Sequence, residues 1–145
     1  MSRTCARLRV DYDRSLADLV AAGGYDRANE YVTESLFPIL GRGSGDVEIV
    51  LVCVERAAST EEVLRELDRP ELRLGRIAEL LALGAAQPEL QRSFPIVALG
   101  SAASYPHEYR RIPFLWGSSR VRHLDLRWDE HSWGANIRFL TVQVA

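Results

Sequence analysis

Four residues near the end of the sequence, His123, Asp125, Glu130 and His131, are of the types that bind metals or move protons. His123 and Asp125 stand two apart, the spacing that puts both side chains on one face of a strand. His131 follows on a connection able to fold over them. Zinc takes about three or four such ligands in tetrahedral reach, and the chain offers no C-x-x-C or H-x-x-x-H pair to complete a set. The expectation is therefore no metal and no cofactor. A polar outer strand face, ion-paired across strands to Arg122, Arg127 and Arg138, accounts for the same residues. A small hydrolase or metal-dependent enzyme built on His107, His123 and His131 is the chemical alternative.

Nucleophilic and phosphate chemistry find little to stand on. Ser101 and Ser104 lie in "LGSAAS" with His107 on the next loop, but no G-x-S-x-G places a serine on a strand-to-helix elbow. "GRGSG", residues 41–45, leads into a strand, whereas a phosphate cradle needs a helix start. Asp129-Glu130 forms an acid and base pair only if a cleft desolvates it, and Glu61-Glu62 complements a helix dipole.

Recognition is better supplied. Aromatic, histidine and arginine side chains are enriched where proteins meet partners. The loop 103–110 carries Tyr105, His107 and Tyr109, and the connection 128–136 carries Asp129, Glu130, His131 and Trp133. Gly134 and Asn136 already serve the turn, so Trp133 is free either to make contacts or to fold back as a core plug. Trp128 is expected to anchor the connection in the core. The leading function is a non-enzymatic binding domain that uses these loops on a protein partner. A nucleic-acid-binding sheet face is the alternative: Arg110, Arg111, Arg120, Arg122, Arg127 and Arg138 interleave with Tyr109, Trp116, Trp128 and Trp133, as single-strand binding requires.

The whole-chain properties bound these readings. The 145 residues suit one domain, residues 1–145, with one core. A formal net charge of −2 gives no general attraction to nucleic acid or to an acidic membrane. All 18 basic residues are arginine, the mark of a GC-rich coding sequence, and they make the surface rich in planar donors. Cys5 and Cys53 fall in strand-like runs and read as buried, inert thiols. A disulfide between them requires adjacent strands. Without an apolar leader core, or a run approaching the roughly 20 apolar residues of a membrane span, the expected location is the cytoplasm.

The elements that must position the candidates follow from periodicity. Residues 5–11 alternate, with Ala6, Leu8 and Val10 on one face. Asp13 is placed to cap a helix over "SLADLVAAG", which Gly23-Gly24 ends. Residues 25–35 are ambiguous between a helical turn and a loop. "DVEIVLVCV" is apolar on both parities from Val50 and reads as a central strand covered on both faces. Ser59 and Glu62 have the spacing of a capping box for "STEEVLREL", which Pro70 ends. A helix over "LRLGRIAELLALG" and a short one over "PELQRS" follow. From Phe94 the runs "FPIVALGS", "RRIPFLWG", "RVRHLDLRW" and "IRFLTVQV" read as strands, with Pro113 confined to a strand end or an edge. "RVRHLDLRW" sets Leu124, Leu126 and Trp128 on one face and His123, Asp125 and Arg127 on the other. The fold class expected is α+β, with helices in the first two-thirds and a mainly antiparallel sheet formed with the C-terminal strands. Residues 74–99 are its expected structural heart.

Two resemblances attach to these runs. "YDRSLADLVAAGGYDRANEYVTESLFPI", "IAELLALGAAQPELQRSFPIVALGS", "YRRIPFLWG" and the closing "RFLTV" resemble a widespread set of bacterial hypothetical proteins with an "ELLALG…PELQ…FPIVALGS" core. That resemblance supplies a family without an activity. The ending "LDLRWDEHSWGANIRFLTV" is similar to the C-terminus of C-type-lectin-fold proteins diversified by retroelements. There, a Trp-bearing polar connection before the last strand displays ligand contacts. The chain lacks the "GGSW" run of those proteins and the glutamate-proline-asparagine motif of calcium-dependent lectins, so the resemblance does not extend to calcium or sugar binding.

Overall fold

The computed structural model describes residues 1–103, 110–129 and 132–144. In chain order its elements are β1 (Ser2–Asp11), α1 (Leu16–Gly23), β2 (Arg27–Ala28), β3 (Ser44–Cys53), α2 (Thr60–Leu67), β4 (Leu72–Leu74), α3 (Ile77–Ala86), a 3-10 turn (Leu90–Arg92), β5 (Ile96–Val97), β6 (Arg111–Gly117), β7 (Arg122–Trp128) and β8 (Arg138–Gln143). All eight strands join one sheet in the order β1-β3-β8-β5-β6-β7-β2, with β4 also pairing to β8. The sheet is mixed: β2–β7 and β5–β8 run parallel, the other pairs antiparallel.

The double-sided apolar run at residues 49–54 sets the layers. Ile49 and Leu51 pack into one cluster with Leu8, Val10, Leu16, Leu19, Leu80, Leu115, Leu124 and Leu140, beneath α1 and α3. Val50 and Val52 face the other way, into a cluster with Val63, Leu67, Val97, Ile112, Trp133 and Phe139, beneath α2. Alternation along a strand sends neighbours to opposite faces, so a run apolar on both parities must be covered twice. Within the expected heart, Leu80 and Ile96 are buried.

The expected division of the chain is corrected. Helices do not dominate its first two-thirds: β1 and β3 have ten residues each, while α1 and α2 have eight and α3 has ten. Each helical apolar pattern supports only two or three turns, whereas the alternating runs continue further and pair with each other over ten positions. "LRLGRIAELLALG" divides in two. Its first three residues form β4, and α3 begins only at Ile77. The β-branched and turn signals that announce most strands are missing from Leu-Arg-Leu.

Local signals fared variously. Ser59 and Glu62 form the capping box, with reciprocal bonds of 3.2 and 3.1 Å. The cap of α1 is Ser15, not Asp13; the Ser15 hydroxyl accepts from the Asp18 amide. Asp13 instead accepts from the Gly43 amide. Cys5 is exposed and only Cys53 is buried; both are free. Cys5 shares parity with Arg7 and Arg9, opposite the buried Leu8 and Val10. Strand β6 is interior rather than an edge. Pro113 is tolerated because β5 pairs only with Phe114 and Leu115, so Pro113 stands just past that ladder.

Strand β8 has β3 along one side, while β4 and β5 share the other end to end. Gly75 closes the gap between them: its amide donates to the Leu140 carbonyl oxygen at 2.7 Å, and its own carbonyl oxygen accepts from the Gly100 amide at 2.8 Å. The Ser101 hydroxyl then accepts from the Ile77 amide at 2.8 Å, capping α3 from a separate segment.

Arg122 locks β7 to the helices. It is 5% exposed. It donates to the carbonyl oxygens of Gly23 (2.6 Å), Gly84 (2.9 Å) and Pro88 (2.8 Å), and to Gln91 Oε1 (3.1 Å). Gly23 and Gly84 lie at the C-terminal ends of α1 and α3, where unpaired carbonyls and the negative dipole end favour a cation. The expected surface role of Arg122 is thereby replaced by a buried structural one.

Candidate functional site

The hairpin β6–β7 pairs over seven positions, from Arg111↔Trp128 to Gly117↔Arg122. Its Arg111/Trp128 end holds the roots of both loops singled out in the sequence. Ala103 and Arg111 exchange backbone bonds of 3.0 and 2.7 Å. The Asp129 amide donates to the Arg110 carbonyl oxygen at 3.2 Å, and the two side chains form an ion pair at 3.8 Å. The described roots of the two loops, Ala103, Arg110 and Asp129, therefore lie side by side at this end of the hairpin. Tyr105, His107, Tyr109, Glu130 and His131 lie outside the described residues; Asp129 and Trp133 lie within them.

Trp133 is a core residue, 1% exposed. Its backbone bonds in both directions to Ala58, at 2.8 and 3.0 Å. The indole N–H donates to the Thr60 hydroxyl at 2.8 Å, and Thr60 donates onward to the Asp129 carbonyl oxygen at 2.7 Å. The Phe139 ring meets it edge-on, 5.6 Å between centroids. The Arg127 guanidinium covers its face at 4.6 Å, and Arg127 also donates to the Ser132 carbonyl oxygen at 2.8 Å. Burial pulls the Arg127 pKa down. A partner does not reach Trp133 in this arrangement. Trp128, expected as the core anchor, is only half-buried, against the Arg111 guanidinium. Of the two parts open to Trp133, the structure gives it the core plug, because the segment after residue 131 turns back under α2.

On the polar face of β7, His123 and Asp125 are engaged by other partners, and Glu130 and His131 lie outside the described residues. His123 stacks on Trp116, with centroids 4.2 Å apart and planes 9° from parallel. Asp125 accepts from the Asn29 amide group (3.0 Å) and the Leu126 backbone N–H (2.8 Å), and more distantly from the Trp116 indole (3.4 Å). Among the described residues, no group of three or more His, Cys, Asp or Glu side chains is placed to hold a metal ion.

A second acidic centre, which the sequence did not announce, joins Tyr12, Arg73 and Glu79. Glu79 is fully buried. One carboxylate oxygen accepts from the Tyr12 hydroxyl at 2.7 Å; the other accepts from Arg73 at 3.1 Å and from the Arg76 amide at 2.9 Å. Burial, and then the Glu79 carboxylate, push the Tyr12 phenol up to about 12. With these donors in place the carboxylate closes the start of α3.

Thr60 and Asn29 escaped the sequence reading. Thr60 sits in a helix-start pattern and Asn29 in an ambiguous loop, and neither position carries a local sign of its distant partner. The chain matches no protein-family model, and no curated protein or solved structure is significantly similar to it. Among the described residues, no helix is long and apolar enough to cross a membrane.

Proposed function

We propose that this chain is a non-enzymatic, cytoplasmic binding domain that recognises a protein partner through the loops 103–110 and 128–136. One observation carries the reading: the roots of both loops are tied together at one end of the β6–β7 hairpin by the Ala103–Arg111 and Arg110–Asp129 backbone bonds. A loop pair held by a rigid platform loses little conformational entropy on binding. Trp133 belongs to that platform through Thr60, and Asp129 stands at the root of the contact surface. Two free cysteines agree with a reducing compartment.

The nucleic-acid alternative has less support. Arg111, Arg127 and Arg138 stack on this chain's own Tyr31, Trp133 and Phe94 rings, and Arg122 is buried. The enzymatic alternative loses Ser101 to the cap of α3.

The test is affinity capture from host lysate with the wild type and with a variant carrying Tyr105→Ser, Tyr109→Ser, Glu130→Ser and His131→Ser. The expected result is one near-stoichiometric protein retained by the wild type and lost by a variant that melts at the same temperature. Equal retention by the two proteins overturns the loop assignment. Capture of nucleic acid instead, released steeply by salt, overturns the protein-partner reading.

A further inference from the structure

Beside the outer edge of the β6–β7 hairpin lies a cavity of about 500 Å³, lined in part by Asn29, Tyr31, Arg111, Trp116, His123 and Asp125. We infer that it binds a small organic carboxylate with a flat, unsaturated body, held by the Arg111 guanidinium.

Buried Arg122 and partly buried Arg111, both on this hairpin, differ in what satisfies their guanidinium groups. Arg122 meets a carbonyl or amide oxygen with Nε, Nη1 and Nη2. Arg111 Nη1 is buried with no acceptor among the described residues. What holds the Arg111 guanidinium is aromatic: the Tyr31 centroid stands 4.6 Å from its central carbon and the Trp128 centroid 5.3 Å away. Two rings fix the plane of a guanidinium by cation–π attraction without using its N–H groups. A buried charged donor left without an acceptor is a standing penalty, and a carboxylate relieves it with paired, charge-assisted bonds.

The cavity selects the rest of the ligand. Its volume falls in the range of small-molecule sites. The stacked Trp116 and His123 rings, 4.2 Å apart, form a flat wall, which Asn29, Asp125 and the Trp116 indole brace by hydrogen bonds. Asp125 is turned toward these donors. Arg27 and Glu30, exposed at the mouth, offset each other in solvent. A phosphate dianion calls for several converging donors or a helix start, whereas one guanidinium fork suits a monoanionic carboxylate. Tyr31, 41% exposed, stacks on the guanidinium, and ligand entry requires it to turn aside.

The probe is benzoate, with inorganic phosphate as the control at equal ionic strength, titrated to about 10 mM, near the weak limit of useful affinity. Benzoate is expected to shift the Trp116 indole N–H resonance saturably and to show nuclear Overhauser contacts to Trp116 and the Arg111 side chain. Arg111→Lys, which keeps the charge and loses the fork, should bind roughly tenfold more weakly. No saturable shift in the wild type overturns the proposal, as do contacts confined to another surface. A folded Arg111→Lys protein that binds equally well overturns the role of the fork, and equal shifts with phosphate overturn the carboxylate assignment. The wild-type contacts decide the site even where the variant fails to fold.

Discussion

Arg122 Nη2 donates to the carbonyl oxygen of Gly84 at 2.9 Å, across 38 residues of chain. The same side chain holds Gly23, at the end of α1. Two helix ends are thus satisfied by one cation that has no carboxylate partner in its side-chain bonds. Arg122→Met should destabilise the fold by about 3–5 kcal/mol, because it leaves several buried carbonyls unpaired. Arg122→Lys should recover less than half, since an ammonium cannot span the same acceptors. Urea denaturation measures both, and a loss below about 1 kcal/mol for Arg122→Met would contradict the keystone role.

Trp133 and Thr60 act as one unit. Trp133→Ala should cost about 3–5 kcal/mol, as deletion of a buried aromatic does. Thr60→Val keeps the shape but leaves the indole N–H without an acceptor, and should cost about 1–3 kcal/mol. Thermal melts of both variants supply the check. A Trp133→Ala protein as stable as wild type would return Trp133 to the contact surface.

The glycines at the β4–β5 junction have no room for a side chain. A Cβ on Gly100 would stand 2.5 Å from the Gly75 carbonyl oxygen, and one on Gly75 would stand 2.7 Å from that of Leu140. At both positions backbone would have to move, and at Gly75 the Leu140 side chain as well. Gly100→Ala and Gly75→Ala should each cost about 1–3 kcal/mol, whereas Gly134→Ala, which meets nothing within 4 Å, should be nearly neutral. Chemical denaturation of the three variants distinguishes them.

Tyr12 and Tyr25 should make the fold sensitive to alkali. Burial pushes the Tyr25 phenol up to about 12, against a smaller lowering by Arg122, and Tyr12 also rises to about 12. The native state therefore holds these protons more tightly than the unfolded chain, whose tyrosines ionise near 10. Their stabilisation is complete below about pH 10 and is lost as pH climbs through 12. Tyr25 Oη is buried without a hydrogen-bond partner among the described residues, so Tyr25→Phe should leave neutral stability within about 1 kcal/mol and flatten the alkaline decline. Melting temperatures from pH 7 to 12 test both statements.

What the sequence revealed depended on range. The capping box at Ser59 and the two-sided burial of residues 49–54 rest on neighbours within a few positions, and both were legible. The balance of strand and helix was not, because β4 carries no local strand signal and forms only through its pairing with β8. Trp133 illustrates the same limit at the candidate site. Its composition and turn context suited display equally well, and only the distant Thr60 and Phe139 decide for burial. Arg122 looked like one more surface arginine until the ends of two helices converged on it.

The position of β8 also shapes how the molecule is made. Synthesis delivers the strand at the middle of the sheet after both of its flanks. The β1–β3 ladder, whose nearest pair is Asp11↔Ser44, can form first, and the β6–β7 hairpin can close later from contacts near in sequence. Until residues 138–143 emerge from the ribosome, β3 and β5 keep facing edges open, with Val50, Val52 and Val97 uncovered. A chain that has not yet placed β8 carries two half-sheets with open edges, the state most exposed to wrong pairing.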